Sequence, residues 1–201
     1  MLSPMNVRRA LYVLLLAAAL PLVPFLLIGE LPGERWLEAA GEQGVWFGAS
    51  GAALLALDVL LPIPSSILGA MLGGRLGFAA GFGWSFVGLC AGQLLGYALG
   101  RLLPRRWASE LPDAPTIALV FLSRPVPVLA EAVAVASGVE RVPLLRFLAA
   151  GAAGNALYAA AMAGNGAALL PDGLAGPGLI LPMLVPVASY WVWYTLRGRR
   201  P

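Results

Sequence analysis

Two short stretches of this 201-residue chain set charged side chains inside apolar sequence. In "DVLLPIPSS", Asp58 stands four residues before Pro62, with Pro64, Ser65 and Ser66 following. In "SRPVPVLAE", Arg124 and Glu131 flank Pro125 and Pro127. An arginine held out of water can grip a phosphate through two parallel hydrogen bonds, and a carboxylate in the same setting can bind and release a proton. Together these residues suit the handling of an anionic, phosphate-bearing molecule. The plainer alternative is that the charges pair with one another and staple the two stretches together. At the centre of a bilayer each charge costs at least about 2.5–3.5 kcal/mol by insertion scales, so neither reading treats them as a solvated face.

The neighbouring polar residues leave choices open. Ser65 and Ser66 suit either helix caps or ligand hydroxyls, and a helix starting after the break would add partial positive charge for an anion. Gly88, Gly92, Gly96 and Gly100 recur every four residues and lay a bare stripe along one helix face, the spacing that lets helices approach closely. Gly151 and Gly154 repeat the theme, and Asn155 beside them either bonds across helices or lines a cavity. Cys90 has no partner for an internal disulfide and reads as a small buried residue.

The surrounding sequence defines the setting. Hydrophobic residues make up 60% of the chain and charged ones 11%, against about 25% charged in a soluble domain. The expected class is an all-α integral membrane protein forming one membrane domain over residues 1–201. Residues 11–28, 78–99, 147–169 and 174–196 read as plain spans. The first follows Arg8 and Arg9 and lacks a small-residue cleavage site, so it reads as a retained helix of an N-terminal segment 1–28. The last ends in "YWVWYTLRGRR", an aromatic belt before a basic tail. Between residues 30 and 42, Glu34, Glu38 and Glu42 recur at four-residue spacing beside Trp36 and Leu37, which suggests a short helix lying on the membrane surface.

Two further apolar segments, 45–76 and 116–139, are interrupted by the proline pairs. If both crossed the bilayer, six spans would place Arg101, Arg105 and Arg106 outside, against the positive-inside tendency. If both are re-entrant hairpins, four spans remain and every arginine at a span end except Arg35 and Arg75 falls inside. The hairpin arrangement is therefore preferred, with both termini cytoplasmic. It divides the centre into a hairpin plus span at 45–100 and another at 116–169, oppositely directed. Such an inverted repeat is the arrangement in which transporters hold substrate between broken helices, because irregular backbone at membrane depth survives only against protein or a water-filled cavity.

"DVLLPIPSSILGAMLGGRLG" with "GQLLGYALGR", followed by "SRPVPVLAEAVAVASGVERVPLLRFLAAGAAGN", resembles the DedA family, the SNARE-associated or VTT domain membrane proteins. The likeness covers residues 58–155. Asp58, Pro62, Pro64, Arg124, Pro127, Ser137 and Gly138 occupy the family's acidic, Pro-x-Pro, arginine and small-Gly positions. The resemblance implies four spans with two re-entrant hairpins and a role in moving lipids between leaflets, with phospholipid or polyprenyl phosphate as substrate and protons as candidate coupling ions. Ser66 stands where a second carboxylate is common, and Ala130 where a second arginine is. Glu131 can supply the carboxylate from the opposite hairpin.

The leading expectation is accordingly a lipid transporter or scramblase in the plasma membrane of a bacterium, a source suggested by arginine-only basic residues beside abundant Ala and Gly. Its substrate would meet Arg124, Asp58, Glu131, Ser65, Ser66 and Asn155, while Pro62, Pro64, Pro125, Pro127 and Gly138 shape the hairpins. The alternative is a non-transporting assembly protein whose glycine faces recruit another membrane protein. Homo-oligomerisation is left open. An enzyme is not expected, because there is no histidine, no metal-ligand cluster and no nucleophile motif with a base. No cofactor or metal is expected, and the arginines at span ends give no basic face for nucleic acid.

Overall fold

The computed structural model describes residues 31–39, 44–104, 113–124 and 127–169, together with isolated positions between 15 and 29. The expected spans at 11–28 and 174–196, and Pro125, lie outside the described residues. Among the described residues the chain is all-helical: α1 (Gly33–Ala39), α2 (Val45–Leu57), α3 (Ser65–Leu102), α4 (Asp113–Leu122), α5 (Pro127–Val139) and α6 (Leu144–Leu169). Two of these helices, Ser65–Leu102 and Leu144–Ala167, are long and apolar enough to cross a membrane.

Both proline-bearing stretches interrupt the helical course. After α2 the chain makes a tight turn, with Leu60 and Leu61 N–H donating to the Leu57 carbonyl, and then runs without helical bonding to Ser65. Proline removes a donor and disfavours helix in the residue before it, so Pro62 and Pro64 keep α2 and α3 from merging. The carbonyl this frees on Pro62 accepts the Leu31 N–H at 3.0 Å. Thus the segment before α1 satisfies the first break. Gly33 sits so close to Ile63 that an added Cβ would be 2.7 Å from its Cγ2, and Leu37 is fully buried in the same core. The short helix expected around Trp36 is present, but of its two large apolar residues Trp36 alone faces outward; Leu37 belongs to the interior instead of a membrane surface.

α3 is two helical limbs joined at Gly77, whose φ of 76° and ψ of 167° are accessible essentially to glycine alone. The limbs fold back on each other: a Cβ on Gly81 would lie 2.5 Å from the Gly73 Cα, and one on Gly69 would lie 3.8 Å from Ser85 Oγ. Residues eight apart in a straight helix are separated by about 12 Å along the axis. Because no atom lies within 4 Å of a Cβ on Gly77, Gly77→Ala isolates the backbone cost. It is expected to destabilise by on the order of 1–3 kcal/mol, read as a lower Tm in detergent, and an unchanged Tm would show that the fold-back does not need this conformation.

The long limb, residues 78–102, carries α2 along its glycine stripe. Cβ atoms on Gly88 and Gly92 would strike Ala52, Leu55 and Ala56, so the backbones meet directly there. Farther along the same stripe α5 takes over, with Gly96 against Ala134 and Gly100 against Val135 and Gly138. The first unit's short limb is placed reciprocally, with Gly69 and Gly73 against Met162 and Ala163 of α6, and Gly166 against Ala70. Each unit's second limb therefore lies on the far half of the other unit's long helix. Two cores result. One gathers Phe47, Leu55, Leu68, Leu72 and Met162, and the other gathers Tyr97, Val120, Val133, Val142 and Phe147. Tyr97 anchors the second core, its ring 4.6 Å from that of Phe147 and its hydroxyl donating to the Val142 carbonyl at 2.7 Å.

Candidate functional site

The two breaks face a common cavity with about 420 Å³ of empty space, including its open mouth. Its polar lining is Asp58, Ser65, Gln93, Arg124, Glu131 and Tyr158, and its apolar walls include Leu55 and Leu89 from one core and Ala134 from the other. Asp58 follows the last turn of α2 and is only 9% exposed. Its carboxylate accepts hydrogen bonds from the Ser65 hydroxyl and the Ile63 backbone N–H, both from the chain just past the prolines. The kink that ends α2 thus turns the following backbone toward the acid.

Glu131, partly buried, lies in α5 one turn beyond Pro127 and brings its carboxyl into hydrogen-bonding contact with that of Asp58. Ionised carboxylates are acceptors only, so such a contact requires a proton between the two. Arg124, also partly buried, precedes the second proline pair, and the charges of Glu131 and Asp58 act on it. Among the described residues its Nε has no hydrogen-bond partner. Room for its stem comes from Gly154, where an added Cβ would lie 2.8 Å from the arginine Cγ. A cavity that joins one guanidinium with a proton-sharing acid pair can accept an anion on the former and exchange a proton on the latter.

The remaining expected residues divide. Ser65 lines the cavity, whereas Ser66 does not; its hydroxyl pairs with Tyr158. Neither serine caps α3, because Pro64 holds the N-cap position without a side-chain cap. Asn155 is fully buried outside the lining, donating Nδ2 to Gln93 Oε1 at 2.9 Å and to Cys90 Sγ at 3.3 Å. Of its two readings, the amide bonding across helices is the one observed. Gly138 packs beside Tyr97 and Gly100, away from the cavity. Pro62 and Pro64 form the first break, while Pro127 opens α5.

Two polar lining residues were not picked out from the sequence. Gln93 interrupts the glycine stripe between Gly92 and Gly96, and a lone amide in so apolar a helix was a usable signal. Tyr158 lies three residues after Asn155, on the adjoining face of α6. Among the described residues no group of His, Cys, Asp and Glu could hold a metal ion. The site is thus a charged cavity enclosed by two broken helical units whose long helices have membrane-spanning length. Comparison with family models, curated proteins and solved structures finds no match for the chain.

Proposed function

We propose that this chain is a multi-pass integral membrane protein that moves a phosphate-bearing lipid between leaflets, its two broken segments entering the bilayer as re-entrant hairpins of an inverted repeat within a four-span fold. The observation that carries this reading is Arg124, whose Nε lacks a partner among the described residues and which lines a cavity between the breaks. A lipid phosphate would complete its hydrogen bonding while the acyl chains stay in the bilayer. The outward surface suits lipid: Trp46, Leu102 and Leu145 are each at least 80% exposed, an arrangement unfavourable in water for so many large apolar side chains. The resemblance to the DedA family in the proline and charge motifs points the same way.

Charge balance gives the cavity a coupling rule. With one proton between Asp58 and Glu131 the pair carries a single negative charge, which offsets Arg124. Entry of a singly charged phosphate leaves the cavity one negative charge in excess, and an unpaired charge away from water costs several kcal/mol. A second proton on the acid pair removes that excess, so phosphate and proton enter together. The plasma membrane of a bacterium, with its proton gradient, is the proposed location.

The test is leaflet exchange of fluorescent phospholipids and a polyprenyl phosphate by purified protein in vesicles, with and without an imposed pH gradient. Wild type is expected to exchange a phosphate-bearing lipid faster when the gradient drives protons with it, and Glu131→Gln is expected to lose that response. Absence of exchange across these lipids rejects the transport reading and favours an assembly protein, whose loss would disturb partner binding with lipid distribution unchanged.

A further inference from the structure

Three hydroxyls lead from the contact between the two units to the acid pair. The short limb of α3 lies along α6, with Gly69 against Met162. Ser65 and Tyr158 stand four residues earlier on their respective helices, and residues four apart share a helix face, so the same pairing sets the phenol beside the serine. Tyr158 hydrogen-bonds with both Ser65 and Ser66, and Ser65 reaches on to Asp58. Pro64 holds the N-cap of α3 without a side-chain cap, so neither serine is spent on the helix end. Ser65 is 4% exposed and Tyr158 6%, which leaves little water to compete for these bonds.

One hydrogen per hydroxyl fixes the sense of the chain. Asp58 accepts from Ser65, and a serine hydroxyl has a single hydrogen to give. Tyr158 must then donate to Ser65, which spends the phenol's only hydrogen, and Ser66 must donate to Tyr158. Every hydrogen points toward the carboxylate, so each hydroxyl polarises the next and the last bond is strengthened. Among the described residues the charged and titratable groups around the pair are Arg124, which acts on both acids, Tyr158 itself, and Cys90 of α3, which acts on Arg124.

We propose that Tyr158, acting through Ser65, is a positioning residue that holds the negative charge of the acid pair in place and so sets the proton concentration at which the cavity takes its second proton. The inference rests on the coupling of phosphate to a proton given above and names the residues that tune it. A donor to an ionised carboxylate favours the charged form over the protonated one. Removing a link therefore makes the second proton easier to bind and moves its uptake to higher pH. The effect falls along the chain, because of the three hydroxyls Ser65 is the one bonded to Asp58, and Tyr158 works by polarising it.

The test reads protonation without recourse to transport. Infrared difference spectra of full-length protein in a neutral maltoside detergent follow the C=O stretch of the protonated acid pair against pH, the band being assigned by its change in Asp58→Asn and Glu131→Gln. Ser65→Ala is expected to raise the proton affinity about tenfold or more, and Tyr158→Phe roughly twofold to fourfold. Ser65→Thr keeps a hydroxyl and is expected to restore the wild-type midpoint. The pH profile of gradient-driven lipid exchange should move with the band. Thermal unfolding selects the folded variants, and a role in packing alone would lower Tm while leaving the midpoint where it was. A wild type whose band does not titrate, or an unmoved midpoint in folded Ser65→Ala, overturns the inference; a moved midpoint there but not in folded Tyr158→Phe removes Tyr158 from it. Shifted midpoints without lipid exchange by wild type support the hydroxyl chain and reject the transport reading, whereas unmoved midpoints beside intact gradient-driven exchange reject this inference alone.

Discussion

Arg124→Ala is expected to abolish leaflet exchange in reconstituted vesicles while leaving a folded protein. The side chain's stem lies against Gly154, and the residue lines a cavity, so truncation opens space beside that cavity that water can fill. What it removes is the one arginine lining the cavity among the described residues, and with it the positive charge facing the acid pair there. Loss of a charged partner from a buried ionic group costs on the order of 2–5 kcal/mol, which at about 1.4 kcal/mol per tenfold corresponds to a rate falling by roughly thirtyfold to several thousandfold. Arg124→Lys keeps the charge but loses the planar fork, and it is expected to retain a small fraction of the rate. Vesicle assays on protein that elutes as a single folded species measure both. Full exchange by the alanine variant would place the phosphate elsewhere and reduce Arg124 to a staple for the two breaks.

The sequence exposed the breaks because proline and charge are both costly in an apolar helix, so their coincidence at Asp58–Pro62 and at Arg124–Pro127 stands out without any tertiary information. The boundary between the first broken segment and the next helix also fell at Gly77, where the chain folds back. Helix ends were less legible: α6 begins at Leu144, ahead of the expected 147, and α3 runs on to Leu102. Yet both ends carry a local mark that the apolar runs obscure, since Pro143 immediately precedes α6 and Pro104 lies two residues past α3. Least legible were the features that depend on distant partners. The sequence left Asn155 open because an amide's role is decided by what faces it, here Gln93 from a helix about sixty residues earlier. Leu37 looked superficial for the same reason, its burial resting on the tie between Leu31 and Pro62.

The exchange of limbs between the two units is the feature on which the cavity depends, and Gly100 and Gly138 are among its tightest crossings. A Cβ on Gly138 would meet the Tyr97 carbonyl oxygen, the Arg101 nitrogen and the Gly100 Cα, and one on Gly100 would meet the Val135 carbonyl oxygen and the Gly138 Cα. All of these are backbone atoms of paired helices, which cannot step aside as a flexible side chain can. Gly138→Ala is therefore expected to destabilise by about 3 kcal/mol or more, at the upper end of overpacking costs, and to push α5 off α3 so that Glu131 separates from Asp58. Gly83→Ala provides the contrast, because no atom lies within 4 Å of a Cβ there. In a helix that substitution is expected to stabilise by about 0.5–1 kcal/mol. Thermal unfolding in detergent reads both, and the same chemical change should move Tm in opposite directions. Since Gly100 and Gly138 face each other, the pair of alanines is expected to cost less than the sum of the singles, the first having already forced the helices apart. Strict additivity would mean that the two glycines serve separate contacts, and that α5 is not held to α3 through this crossing.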